Sequence, residues 1–135
     1  DVVIGDYAKF HIEERKGDLF GGYAVVVDTF VSDRVLQKIT EFNEKTRMNA
    51  TAKKPFKPIE VSDDGLELIE YLSLDCSNTQ GEWHSDSEIK IDKNGYVIRN
   101  GEKTKEFWDG TIYGEKKPLR LKIRNICGDE TEWGI

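Results

Sequence analysis

The sequence predicts an α+β domain: a mostly antiparallel sheet of about six or seven strands, with one main amphipathic helix packed on one face. Three observations predict it. Several segments alternate apolar and polar residues with period two, the pattern of strands with one buried and one wet face. Asn94-Gly95 and Asn100-Gly101 punctuate such segments, and Asn-Gly is the strongest short-range hairpin signal. Only the stretch after Ser32 carries a sustained run of apolar residues at helical spacing.

Taken in order, Val2-Val3-Ile4 reads as a strand entered part-way, and the first residue is Asp1. Both point to a piece of a longer protein. Residues 6–14 alternate, with Ala8, Phe10 and Ile12 on one side and Lys9, His11 and Glu13 on the other. Lys16-Gly17-Asp18 and Gly21-Gly22 mark a turn region. Tyr23 to Val31, centred on Val25-Val26-Val27, predicts a more deeply buried strand.

Ser32 is a good N-cap, and Asp33 complements the helix dipole. Val35, Leu36, Ile39 and Phe42 follow, with Lys38, Glu41, Glu44 and Lys45 on the other face. That predicts a helix of about 12–14 residues. Residues 47–58 lack periodicity and hold Arg47, Lys53, Lys54, Lys57, Pro55 and Pro58, which predicts an extended connector. Ser62-Asp63-Asp64-Gly65 is a turn. Leu66 to Cys76 has strand parity at Leu68, Leu72 and Leu74, although residues 67–72 also fit a helix. Segments 85–92 and 96–99 flank the turn at Lys93-Asn94-Gly95. Phe107-Trp108-Asp109-Gly110 ends a strand, and Pro118 precedes the last clear one.

A chain of 135 residues with 37% hydrophobic and 34% charged residues is one globular domain. No apolar run is long enough for a membrane span, and no basic-then-apolar leader stands at the start. The expected location is cytoplasmic. Cys76 and Cys127 lack zinc-finger spacing. They read as two free, mostly buried thiols, with a single disulfide as the alternative.

The last strand carries the main functional clue. In Leu119-Arg120-Leu121-Lys122-Ile123-Arg124-Asn125-Ile126 the apolar residues point to a core, and Arg120, Lys122 and Arg124 form a row of cations. On a chain of net charge −6 such a row suits a polyanion or an acidic partner. Each cation then serves as a phosphate contact. The plainer alternative is a wet sheet face with cross-strand Glu or Asp partners.

Other constellations are weaker. His84, Asp86 and Glu88 share strand parity, a plausible hard-metal set, and Lys90 continues that face; a solvated hairpin face is the plainer account. Glu88-Ile89-Lys90 matches half of a nuclease motif, with Asp75 as the upstream carboxylate. No Gly-x-Ser-x-Gly elbow or phosphate-binding glycine loop occurs. Phe20-Gly21-Gly22 fits a hairpin turn better than a cofactor loop. Trp83, Trp108 and Trp133 sit near turns, as core anchors or, if exposed, as stacking platforms.

Three stretches together (residues 65–76, residues 83–93, and Phe107-Trp108-Asp109-Gly110-Thr111-Ile112 followed by residues 120–130) resemble the C-terminal part of bacterial type III restriction–modification methylase subunits. These are site-specific adenine DNA methyltransferases. The resemblance implies a parent protein that uses S-adenosylmethionine. The family's Asp-Pro-Pro-Tyr-type and Phe-x-Gly-x-Gly motifs do not occur here, so it carries over no catalytic or cofactor-binding residue, and no metal ligand. It implies an accessory domain that supports DNA-backbone contact, through Arg120, Lys122 and Arg124, or assembly with the restriction subunit or another methylase protomer. Two other readings fit the composition. One is a free-standing acidic protein-binding module, such as a toxin-neutralising immunity protein. The other is a metal-dependent nuclease using Asp75, Glu88 and Lys90.

Overall fold

A computed structural model of the chain describes residues 5–15 and 22–135. The strand expected at Val2-Val3-Ile4, and Lys16-Gly17-Asp18 with Phe20-Gly21, lie outside the described residues. Among the described residues the strands are β1 (Tyr7–Glu14), β2 (Tyr23–Val31), β3 (Ile69–Asp75), β4 (Ser87–Ile91), β5 (Tyr96–Arg99), β6 (Glu102–Phe107), β7 (Thr111–Gly114), β8 (Arg120–Asn125) and β9 (Glu130–Gly134). The single α-helix among the described residues is α1 (Asp33–Met48), and a 3-10 turn spans Leu66–Leu68. The class is α+β with mostly antiparallel sheet. The strands divide into two sheets, ordered β1-β2-β7 and β6-β5-β4-β3-β8-β9.

The two sheets face one another across one core. Val25, Val27 and Phe30 from β2 and Ile112 from β7 meet Leu72, Leu74, Ile89, Val97, Leu121 and Ile123 from the larger sheet, all fully or almost fully buried. Each such side chain contributes about 1.5–3 kcal/mol by leaving water. A strict period of two would put Val27 and Phe30 on opposite faces. A bulge resolves this: Lys9 pairs with Thr29 and Phe10 with Val27, so Asp28 has no opposite residue and the parity of β2 shifts by one. Ala8, opposite Phe30, is thereby buried, while Ile12 at the far end stays exposed.

The Asn-Gly turns form as expected. Gly95 has φ +86°, and Asn100 and Gly101 have φ +48° and +86°, as a two-residue hairpin turn requires. Gly65 is also left-handed, and a Cβ there would meet the carbonyl oxygen of Phe30. That close approach lets the Phe30 N–H donate to the Asp64 carbonyl at 2.8 Å. Residues 66–68 make the 3-10 turn, which explains the helical component of their pattern, and the strand begins at Ile69.

Helix α1 starts as its cap predicts, with Ser32 Oγ accepting from Val35 N–H at 3.3 Å. It runs 16 residues, about 24 Å at 1.5 Å per residue. Its contact with the sheets is confined to its start. Val35 is its one buried residue, Ile39 is half-buried, and Leu36 and Phe42 are 36% and 53% exposed. The returning segment is tied to the helix further along. Asn43 Nδ2 donates to the Ile59 carbonyl at 3.0 Å, and Ile59 N–H donates to Asn43 Oδ1 at 2.8 Å. Helix and return segment thus form an arm, with residues 48–58 at its tip. No described helix is long and apolar enough to cross a membrane.

Candidate functional site

The side chains of β8 divide as the alternation predicts. Leu121 and Ile123 are fully buried, and Arg120, Lys122 and Arg124 lie on the outer face of the six-stranded sheet. Leu119 is only half-buried. Each cation is neutralised where it stands. Arg120 Nη2 donates to Asp75 Oδ2 at 2.6 Å. Lys122 Nζ lies 3.7 Å from both Glu130 and Glu132 on β9. Arg124 Nε donates to Glu70 Oε1 at 3.0 Å, and its Nη1 lies 3.7 Å from Glu130. Glu70 occupies a second bulge, where Ile69 pairs with Asn125 and Tyr71 with Arg124.

Aromatic rings floor this face. Arg120 and Lys122 lie 4.8 Å and 4.5 Å from the Trp83 ring centroid, and Arg124 lies 4.6 Å from that of Tyr71. The cations are therefore the inner layer. Their side chains are 8%, 15% and 33% exposed, against 45% and 47% for Glu130 and Glu132. What meets solvent over the row is carboxylate.

Asp75 organises the end of this face. Its carboxylate is fully buried and accepts from the Ser77, Asn78 and His84 amides at 2.8, 2.8 and 3.0 Å, as well as from Arg120. Burial pushes its pKa up, but those four donors outweigh burial and hold it well below the usual carboxylate range. Arg120 also donates to the Gly81 and Glu82 carbonyls at 3.1 Å each. The pair thus pins the 77–86 loop and lays Trp83 on the sheet, with Trp83 Nε1 donating to Ser73 Oγ at 3.0 Å.

The metal candidates do not group, and the two nuclease carboxylates, Asp75 and Glu88, are engaged by Arg120 and Tyr71. His84 and Asp86 precede β4 and sit in the loop, where His84 Nδ1 is 3.0 Å from Asp86 Oδ1. Asp86 accepts from the Cys76 amide at 2.7 Å; burial raises its pKa, and the Cys76 amide, His84 and Ser77 together bring it below normal. Glu88 accepts the Tyr71 hydroxyl at 2.9 Å, and Lys90, across from Tyr71, is exposed. Among the described residues no three His, Cys, Asp or Glu side chains are grouped to hold a metal ion. Cys76 and Cys127 are free thiols, and Cys127 is exposed rather than buried, because it lies in the β8–β9 turn. Burial, then the nearby Asp86 and Asp75 charges, push the Cys76 thiol up to about 11. Trp108 and Trp133 pack against the core.

Exposed lysines without a carboxylate partner within 4.0 Å among the described residues are scattered over the sheets and their loops (Lys9, Lys90, Lys93, Lys103, Lys105, Lys116 and Lys117), and they cluster with little opposing charge on the arm. Residues 44–57 hold five cations and one carboxylate, which leaves the rest of the chain more acidic than its net −6. Lys45, Arg47, Lys53, Lys54 and Lys57 are all exposed. Arg47 has Glu44 at 3.9 Å, a loose surface contact, and the four lysines have no carboxylate partner within 4.0 Å among the described residues. Phe56, between the lysines, is 38% exposed. A turn at Thr51–Lys54 shapes the tip, with Thr51 N–H donating to the Lys54 carbonyl at 2.9 Å. A sequence signal for this site exists: a cation cluster interrupted by proline on an acidic chain. Its lack of periodicity pointed only to a connector. Compared with known protein families, curated proteins and solved structures, the chain gives no match in any of the three.

Proposed function

We propose that this domain is an accessory nucleic-acid-contacting module whose α1 arm delivers its basic tip to a phosphate backbone. The observation that carries this reading is the density of exposed cations on the arm, five against one carboxylate over residues 44–57. Lys45, Lys53, Lys54 and Lys57 are exposed and, among the described residues, without a carboxylate partner, whereas Arg120, Lys122 and Arg124 are neutralised on the sheet. Flexible lysines on a projecting arm suit sequence-independent phosphate contact. Phe56 adds a ring on which a splayed base can stack. The reading agrees with the role that the resemblance to restriction–modification methylase subunits implies, and moves the contact from β8 to the arm.

The test is oligonucleotide binding by fluorescence anisotropy across a salt series. For duplex DNA the log–log slope scales as about 0.9 per phosphate neutralised by the protein. We expect Lys53→Ala/Lys54→Ala/Lys57→Ala to flatten the slope by about 2–3. Lys122→Ala is expected to leave it unchanged. A slope that follows Lys122 rather than the arm lysines overturns the proposal.

A second reading rests on the carboxylate layer over β8. Glu130 and Glu132 are the outermost charges of that face, which suits a cationic protein surface. No oligonucleotide binding at low salt, together with binding of a basic peptide that is abolished in Glu130→Gln/Glu132→Gln, favours it.

A further inference from the structure

Beside the acidic sheet face lies a groove of about 860 Å³, between the 62–70 segment and the β4–β5 hairpin. Its apolar part includes Ile69, Ile91 and Trp108, and two of its wall residues stand open to solvent: Phe107 at 72% and Ile126 at 48% exposure. Its rim is acidic. Asp64, Glu67, Asp92 and the Arg124-paired Glu70 line it, and Lys93 is the one cation in the lining. Several of these carboxylates also build local structure. Ser62 donates its N–H to Glu67, and Asp92 accepts the Asn94 and Tyr96 amides at 2.8 and 2.9 Å. Those bonds fix the negative charges in place around the opening.

An exposed apolar floor within a negative rim calls for a cationic segment with an apolar anchor. This chain carries such a segment, Lys53-Lys54-Pro55-Phe56-Lys57, exposed at the arm tip. Two prolines at Pro55 and Pro58 keep it extended, which lowers the ordering cost of docking. It does not reach its own groove. The groove wall sits at the base of the arm, where Phe30 bonds Asp64 and Ser32 bonds Asn125, and no arm residue lines the groove. The tip is about 24 Å away along α1.

We infer that the groove receives the arm tip of a second copy of this chain, with Phe56 against Phe107 and Ile126 and the lysines facing the acidic rim. Because groove and tip belong to the same molecule, two copies can exchange tips reciprocally, and that arrangement closes into a two-fold dimer. This goes beyond the nucleic-acid reading and stands without it. Where both hold, a nucleic acid that occupies the tip competes with the dimer.

Sedimentation velocity on the full chain, over a range of concentration and salt, tests the inference. We expect a dimer at low salt that dissociates as salt is raised, because screening shortens from about 10 Å at 0.1 M to about 3 Å at 1 M. The tip variant Lys53→Glu/Lys54→Glu/Lys57→Glu and the groove variant Phe107→Ser/Ile126→Ser each weaken self-association about tenfold or more. All five side chains are exposed, so both variants keep the fold, which far-UV circular dichroism verifies. Mixing the two variants restores a heterodimer, since one carries an intact groove and the other an intact tip. A wild type that stays monomeric at low salt overturns the inference. So does a dimer indifferent to Phe107→Ser/Ile126→Ser, or a mixture that fails to associate. The groove variant keeps the arm lysines and binds oligonucleotide at least as tightly as the wild type, so the two readings fail separately.

Discussion

Arg120 Nη2 lies 2.6 Å from Asp75 Oδ2, with both side chains almost wholly removed from solvent. The two residues sit opposite each other on neighbouring antiparallel strands, β3 and β8, and are 45 positions apart in the chain. Removing one partner leaves a buried uncompensated charge. Asp75→Ala and Arg120→Ala are each expected to cost about 3–5 kcal/mol in urea unfolding, with the double variant costing less than their sum. Additive costs would refute the coupling. The Asp75 pKa is lower folded than unfolded. Its stabilisation is therefore complete above the unfolded value of about 3.9 and is lost as pH falls through and below it toward the folded value. An acid-unfolding limb that keeps its steepness below about pH 4 in Asp75→Asn refutes the assignment.

His11 Nδ1 lies 2.8 Å from Asp28, the residue that the β2 bulge leaves unpaired. That hydrogen bond, only partly opposed by burial and helped by Glu13, raises the His11 pKa above its ordinary 6.5. A raised folded pKa stabilises fully below the unfolded value, and the effect fades as pH rises through the folded one. Proton NMR should show His11 titrating above 6.5, and Asp28→Asn should bring it back down. No movement in Asp28→Asn would falsify the link.

Asn43 holds the return segment to α1 through its two bonds with Ile59. Asn43→Ala is expected to cost about 1–2 kcal/mol, chiefly as local opening of the arm. Amide exchange at Ile59 should then speed up while the β3 and β8 amides keep their protection. Equal deprotection everywhere would show that the arm does not open on its own.

The two thiols differ in exposure and environment. Cys127 is exposed, whereas Cys76 is half-buried beside Asp75 and Asp86, and its pKa is pushed up to about 11. Near pH 8 a disulfide reagent should modify Cys127 rapidly and Cys76 about a hundredfold more slowly, because only the thiolate attacks. Equal rates in the native protein contradict this placement.

Much of the fold is legible in the sequence because its signals are local. Gly95 and Asn100-Gly101 take up left-handed backbone, Ser32 caps a helix, and Leu121 and Ile123 alternate with charges; none of these depends on distant residues. The division into two sheets is not legible, since alternation says which face is buried and not against what. Nor is the bulge at Asp28, which moves Phe30 inward against the run of parity. The helix follows from Ser32 and its apolar stripe. That the return segment is held to the helix depends on the Asn43–Ile59 bonds, which no periodicity announces.

The sequence by itself determined most of the strands (though not β7 or β9), the Asn-Gly turns, where the helix begins, and that three cations on β8 share one face. Tertiary structure alone decided what that row presents. Asp75, Glu70, Glu130 and Glu132 reach it from neighbouring strands, and the Glu70–Arg124 contact spans 54 positions. Local pattern sets the direction in which a side chain points. Neutralisation of a charge depends on which strands the fold sets side by side, and that is fixed only when the whole sheet assembles.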